Sequence, residues 1–252
     1  MNNLKLEALL NQKLSPQLIK DYCPNGLQVE GAENVQRVVT GVTASQALIE
    51  RAIELNADAI LVHHGYFWKG EGEAIRGMKG RRIRSLIKND INLYAYHLPL
   101  DVHPELGNNV LLAKKLGIQL EGGLEGHDQS VALFGSLNEP VSAEALSKRI
   151  SDAYGREPLH IAPEGEQKLI KSIGWCTGGG QDYIELAAQH GLDAFISGEI
   201  SERTTYSARE QDIHYFSAGH HATERDGIKA LGEWLATEHG FEVEFVDIDN
   251  PV

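Results

Sequence analysis

Two histidines stand side by side in Leu61-Val-His-His-Gly-Tyr-Phe-Trp68, directly after an apolar run. Imidazole binds borderline divalent cations when neutral and carries protons near neutral pH, so the pair raises both kinds of chemistry. Alternate residues of a strand face opposite sides, and neighbouring histidines inside regular β-structure do not easily converge; at a strand's end, before Gly65, they could. Two further histidines have a carboxylate four residues on, Asp101 after His97 and Glu224 after His220. A carboxylate can bridge two ions, and ions about 3.5–4 Å apart can activate a water as nucleophile. Four imidazoles and two carboxylates exceed one tetrahedral centre. Zinc, iron, manganese and nickel all accept this donor set, so the residues leave the metal open. A single buried histidine is more often a core side chain than a ligand. The adjacent pair and the recurring spacing turn the balance toward two divalent ions.

These residues need elements that bring them to one edge. Residues 35–42 (VQRVVTGV) read as a buried strand, Ser45 as the cap of a helix with Leu48, Ala52 and Leu55 at helical spacing, and Asp58-Ala-Ile-Leu-Val62 as the next strand. The stretch 171–200 repeats this strand, turn, helix and strand, with Asp58-Ala59 matching Asp193-Ala194 at an offset of 135 residues. Each half continues to a strand ending in histidine, which makes His97 the mate of His220 and places Glu199 at the repeat position of His64. Helices alternating with apolar strands predict an α/β fold of two related modules with mixed, helix-covered sheets. Ligands of such sheets bind beyond the carboxyl ends of strands, so the donors would meet in a cleft between the modules. The Gly-rich, polar stretch 121–140 sets the boundary near residue 126, giving modules 1–126 and 127–252, with the C-terminal helix and strand able to pack back on the first. Thr177-Gly-Gly-Gly180 joins a strand to a helix: its amides could cradle a phosphate, or the glycines could serve only a tight turn.

Thirty-six acidic against 23 basic side chains give a formal charge of −13, which opposes binding to a phosphate backbone and argues against nucleic acid. The basic stretch 79–88 reads as a solvated helix face rather than an anion site. Cys23 and Cys176 have no CxxC spacing, so neither a disulfide framework nor a thiolate zinc site is indicated. No run approaches the ~18 apolar residues of a membrane span, and the N-terminus lacks a leader pattern. A cytoplasmic protein is expected. His103, His127, His160, His190, His214 and His239 read as structural or surface residues.

PNGLQVEG (24–31), GVTAS (41–45), ILVHHGYFWKG (60–70), NLYAYHLPLDVHPELGNN (92–109), WCTGGGQ (175–181), DAFISGE (193–199) and AGHHATER (218–225) together resemble the GTP cyclohydrolase I type 2 homologues, also called the NGG-interacting-factor-three-like family, most closely its short bacterial members. The resemblance spans essentially the whole chain. It implies a dinuclear metal site with His63, His64, Asp101, His220 and Glu224 as ligands, and a homo-oligomeric ring of six subunits. It also has a histidine at His97, which is placed beside the metals as a ligand or proton carrier; His221 is an outer candidate.

The activity that the family name proposes is opening of the guanine ring of GTP. Water activated by the ions would attack C8, with His97 or Glu224 moving protons. Phosphoester hydrolysis would use the same ligands, and a non-catalytic metal-binding ring is the reading from another class. The substrate is in either enzymatic case a small molecule, nucleotide-like by the family name alone. Neighbouring side chains diverge, so His63 and His64 are expected on different ions, bridged by Glu224; the first division puts His64 beside Asp101 and His63 beside His220, and the residues leave the reverse open.

Overall fold

The structure, a computed structural model, describes residues 1–127, 129–165 and 168–252. The chain begins with α1 (Asn3–Leu14), β1 (Gly26–Val29), β2 (Arg37–Thr43), α2 (Gln46–Glu54), β3 (Ala59–His64), α3 (Gly77–Lys88), β4 (Asn92–Ala95) and the single turn α4 (Leu98–Asp101). It continues with α5 (Asn108–Leu116), β5 (Gln119–Gly123), β6 (Leu133–Val141), α6 (Ala143–Tyr154), β7 (Leu159–Ile161), β8 (Ile170–Cys176), α7 (Ile184–Gln189), β9 (Ala194–Ser197), α8 (Glu202–Glu210), β10 (His214–Ser217) and the turn α9 (His220–Thr223). It ends with α10 (Arg225–His239) and β11 (Glu242–Phe245).

Two compact units result, one of Met1–Leu106 with Gly227–Asp249, the other of Gly107–Asp226 with Asn250–Val252. The division falls after Leu106 and not near residue 126. The polar stretch around 126 lies inside the second unit, because α5 packs Leu112 and Leu116 into that unit's core and β5 pairs with β6. The helix α10 and strand β11 belong to the first unit: Ile228, Leu231 and Leu235 enter its core, and β11 runs parallel to β2.

In the first unit the sheet order is β1-β4-β3-β2-β11, with β1 alone antiparallel. Alternate side chains of the central strands feed two cores. Val38 and Leu61 meet α1 and α10 on one face, while Val39 and Ile60 meet α2 and α3 on the other, so these strands read as unbroken apolar runs. The second unit has the order β5-β6-β8-β9-β10-β7, parallel from β8 through β10 and antiparallel outside them. Its helices α5 and α6 cover one face and α7 and α8 the other.

The repeat is physical. The Asp58 carboxylate accepts the N–H groups of Gln36 and Arg37 at 2.9 and 2.8 Å, and the Asp193 carboxylate accepts those of Lys171 and Ser172 at 2.9 and 2.8 Å. Each aspartate thus tethers the start of the preceding strand and fixes the register of the parallel pair. Strand pairing and turn caps agree on the match of the copies: β3 pairs Ala59 with Asn92, β9 pairs Ala194 with His214, and the turns α4 and α9 are capped by His97 and Gly219. The structural mate of His97 is therefore Gly219, and His220 stands opposite Leu98, a correction to the sequence alignment of the two histidines.

A second histidine pair was not legible. His160 Nε2 and His214 Nδ1 are 2.9 Å apart on β7 and β10, and both rings stack near Phe216. Burial holds both below the ordinary imidazole range, with the neighbouring ring adding to the effect on His160. The unfolded chain therefore takes up protons first as pH falls. The stability this neutral pair contributes is complete above about pH 6.5 and declines as the pH drops through the folded values. Urea unfolding between pH 7.5 and 5 should show that decline, and His160→Gln combined with His214→Gln should flatten it; an unchanged slope would contradict the assignment.

Candidate metal centre

Each unit presents a set of donors at the carboxyl edge of its parallel strands. In the first unit His63 and His64 are the last two residues of β3, their ring centroids 4.6 Å apart and tilted by 47°. They approach because each ring is turned by a different hydrogen-bond partner. His63 is fully buried and its Nδ1 lies 3.0 Å from the Tyr96 carbonyl, so Nδ1–H donates and Nε2 keeps its lone pair. His64 Nδ1 lies 3.1 Å from the Thr43 hydroxyl on the neighbouring strand. Gly65 makes the turn by close packing: a Cβ there would overlap the Gln28 amide and the Ala95 methyl.

Asp101, buried at the end of α4, brings its Oδ2 to 3.5 Å from His63 Nε2. Asp101 thus stands beside His63, the reverse of the division put first from sequence and the alternative left open there. β4 runs parallel to β3, so the chain that leaves β4 passes the end of β3 on its way into α4, and the buried Asp101 carboxylate comes to the buried imidazole. His97 caps α4, and its ring lies 5.1 Å from that of His63 and 5.7 Å from that of His64. His63, His64 and His97 each offer a ring nitrogen within 4.8 Å of the others, a set able to hold a metal ion.

Sequence reasoning missed Asp21. Its Oδ1 lies 2.7 Å from His97 Nδ1 and accepts the Tyr22 N–H, while Oδ2 accepts the Leu98 N–H and the Asn25 amide. Burial works against the charge, but His97, the Asn25 amide and the Tyr22 N–H hold the carboxyl below its usual range. It stays ionised and keeps the Nδ1 proton of His97 in place, directing Nε2 outward. No local signal links the two residues, which are 76 positions apart. Nearby Cys23 is half-buried, and burial with the Asp21 charge pushes its thiol up to about 12, so it is an unreactive thiol at neutral pH.

In the second unit His220 opens α9 and Glu224 follows it, with His220 Nε2 3.2 Å from Glu224 Oε2. Glu199, at the repeat position of His64, places Oε1 2.6 Å from His220 Nδ1 and so serves as the orienting carboxylate of this imidazole. At the repeat position of His63 stands Gly198, where a Cβ would strike the His220 backbone and the Gly178 carbonyl. Burial alone would lower His220, but the two carboxylates on its two nitrogens outweigh it and raise it to about 9.

The Thr177-Gly180 turn is explained by the same site. Gly178 has φ +65°, and a Cβ there would overlap the Glu224 carboxylate. Its N–H donates to Thr223 Oγ1 at 3.0 Å, and the Thr177 N–H donates to the Asn109 amide oxygen at 2.9 Å. These amides are committed to protein acceptors, and the glycine clears room for His220 and Glu224. His103 is structural, its Nδ1 accepting the Glu105 and Leu106 N–H groups, and His127, His190 and His239 are exposed. Among the described residues no helix is long and apolar enough to cross a membrane.

Comparison with known proteins places this arrangement. A protein of Vibrio cholerae serotype O1 described as a GTP cyclohydrolase 1 type 2 homolog is 76% identical over 252 residues, all of both chains. One of the same description from Haemophilus influenzae is 63% identical over 251 residues, 100% of each chain. The solved structure of the protein ybgI, described as of unknown function, matches with a TM-score of 0.96 at 54% identity over 100% of both chains. That of TTHA1606 from Thermus thermophilus matches with a TM-score of 0.88 at 31% identity, again over 100% of both. The family model described as Duf34/NIF3 (NGG1p interacting factor 3) matches residues 1–251, and the chain belongs to that family.

Proposed function

We propose that the protein is a hydrolase dependent on two divalent ions, with His63, His64, Asp101, His220 and Glu224 as the ligands. The observation that supports this most is the tautomer control on both sets. Acceptors occupy Nδ1 of His63 and of His220, and each Nε2 faces a carboxylate, Asp101 or Glu224. This is the orienting pattern found around metal-ligating imidazoles, in which a hydrogen bond at one nitrogen turns the other toward the ion. When bound, such ions supply Lewis acidity that lowers the pKa of water and stabilises charge developing on oxygen.

His97 has a different part. With Nδ1–H donated to Asp21, its Nε2 is the basic nitrogen, and it takes the proton of the attacking water or returns one to the leaving group. Glu224 is the second proton acceptor. The substrate is a small molecule, and the description carried by the relatives makes GTP the first to test, with phosphoesters as the alternative for the same donors. The family resemblance supports a ring of six subunits. The exposed Ile75, Met78 and Ile87 in and beside α3 give a strongly acidic chain apolar area for such contacts.

Protein purified without chelator should carry close to two divalent ions per chain by quantitative metal analysis. His63→Ala and Glu224→Ala should each lower the content, while His239→Ala should leave it unchanged. Equal behaviour of all three would overturn the assignment. His97→Ala should keep its metal and lose on the order of 10²-fold in turnover; loss of metal instead would make His97 a ligand.

Metal uptake should be tied to one proton. In the metal-free protein His220, raised from 6.5 to about 9, is protonated at pH 7.5, and its contribution to stability is complete below about 6.5 and lost as pH rises through about 9. A cation on Nε2 must displace that proton. Calorimetric titration with zinc at pH 7.5 in buffers of different ionisation enthalpy should show proton release that disappears in His220→Gln. Heats independent of the buffer would count against the site.

A further inference from the structure

The segment that follows His64 is strained and heavily pinned, and the metal reading leaves it without a role. Phe67 has φ +65°, a left-handed backbone that costs a bulky side chain about 1–2 kcal/mol. Such a conformation persists only where its surroundings enforce it. Here the Glu71 carboxylate accepts the N–H groups of both Phe67 and Trp68, at 3.1 and 3.2 Å. Lys79, buried on α3, donates to the Gly72 carbonyl at 2.6 Å, stands 3.4 Å from Glu71 and lies over the Phe67 ring at 5.7 Å. The Lys69 N–H donates to the Tyr22 carbonyl at 2.6 Å, and the Trp68 indole N–H donates to the Gly65 carbonyl at 3.2 Å.

What all these bonds fix is the indole. Trp68 is only partly buried, its ring centroid 4.9 Å from that of His97 and 5.9 Å from that of His64. Its one polar atom is already satisfied by Gly65, so the accessible part offers a π surface and no hydrogen bond. A core tryptophan would be enclosed, as Trp175 is, and would not need a strained loop to hold it at the edge of the imidazole cluster.

We propose that Trp68 is a stacking platform that selects a planar heteroaromatic ring, such as a nucleobase, beside His64 and His97. This rests on the hydrolase reading for its purpose and not for its binding, since stacking needs no metal. The indole contributes contact area at fixed orientation, and the strained turn holds it edge-to-face with His97. Stacking of a base on an aromatic side chain is sequence-tolerant because every base has a π face. The platform therefore chooses a ring class, and the donors at the metal centre act on what it positions.

The test uses the full chain with two probes, guanosine, which has a ring and no phosphate, and inorganic tripolyphosphate, which has the reverse. Guanosine should quench the fluorescence of the wild-type protein with and without chelator. Trp68→Leu should weaken guanosine binding by calorimetry about ten-fold or more, Trp68→Phe should restore most of it, and metal content and tripolyphosphate affinity should stay as in the wild type. Guanosine bound by Trp68→Leu within two-fold of wild type, or no guanosine binding by wild type, would overturn the platform. So would equal losses for both probes, which would make the loop a support for the metal centre. Quenching by guanosine in a wild-type protein that takes up no divalent ion on reconstitution would keep the platform and fail the hydrolase reading.

Discussion

Parallel pairing is the constraint on which the rest depends. When β2, β3 and β4 run in one direction, their carboxyl ends reach one edge of the sheet, and whatever follows each strand is delivered there. His63 and His64 end β3, and His97 and Asp101 follow β4. The second unit does the same with β8, β9 and β10, whose ends deliver Gly178, Glu199, His220 and Glu224. Asp58 and Asp193 fix this arrangement by tethering the strand starts, so a shift in register at one end would displace a donor side chain at the other.

Collecting imidazoles and carboxylates at such an edge is costly when they are buried. Asp101 and Glu224 are nearly inaccessible, and a desolvated carboxylate without compensation protonates or draws a positive group to itself. In the protein alone part of that compensation is a proton on His220, held between Glu224 and Glu199. The same negative field favours a divalent cation. Tautomer control completes the device: Tyr96, Glu199 and Asp21 each occupy the Nδ1 side of one imidazole, so each ring turns its Nε2 toward the other donors.

The two copies of the repeat have diverged where the chemistry lies. At the positions of His63 and His64 the second copy has Gly198 and Glu199, one clearing space for the His220 backbone and the other orienting its ring. The turn after β4 is capped by His97 and the turn after β10 by Gly219, whose φ of +101° suits only glycine. One copy therefore supplies mainly imidazoles, the other a histidine between two carboxylates.

The sequence by itself determined the α/β class, the repeat, the strand and helix identities and the residues worth watching, because those signals are local. Ser45 does cap α2, and the apolar runs of β2 and β3 are buried on both faces, as continuous hydrophobicity requires. The family too was legible, since its motifs are short and contiguous. Tertiary structure alone decided which donor meets which. Asp21 reaches His97 across 76 positions, and Asp101 reaches His63 from the turn that follows β4. The division at Leu106 was likewise hidden, since a polar stretch near 126 looks like a linker until α5 and β5 are seen in the second unit's core and sheet. Periodicity and capping act over a few residues and leave a pattern in the chain, whereas ring orientation and ion pairing depend on neighbours that only the folded packing brings within a hydrogen bond.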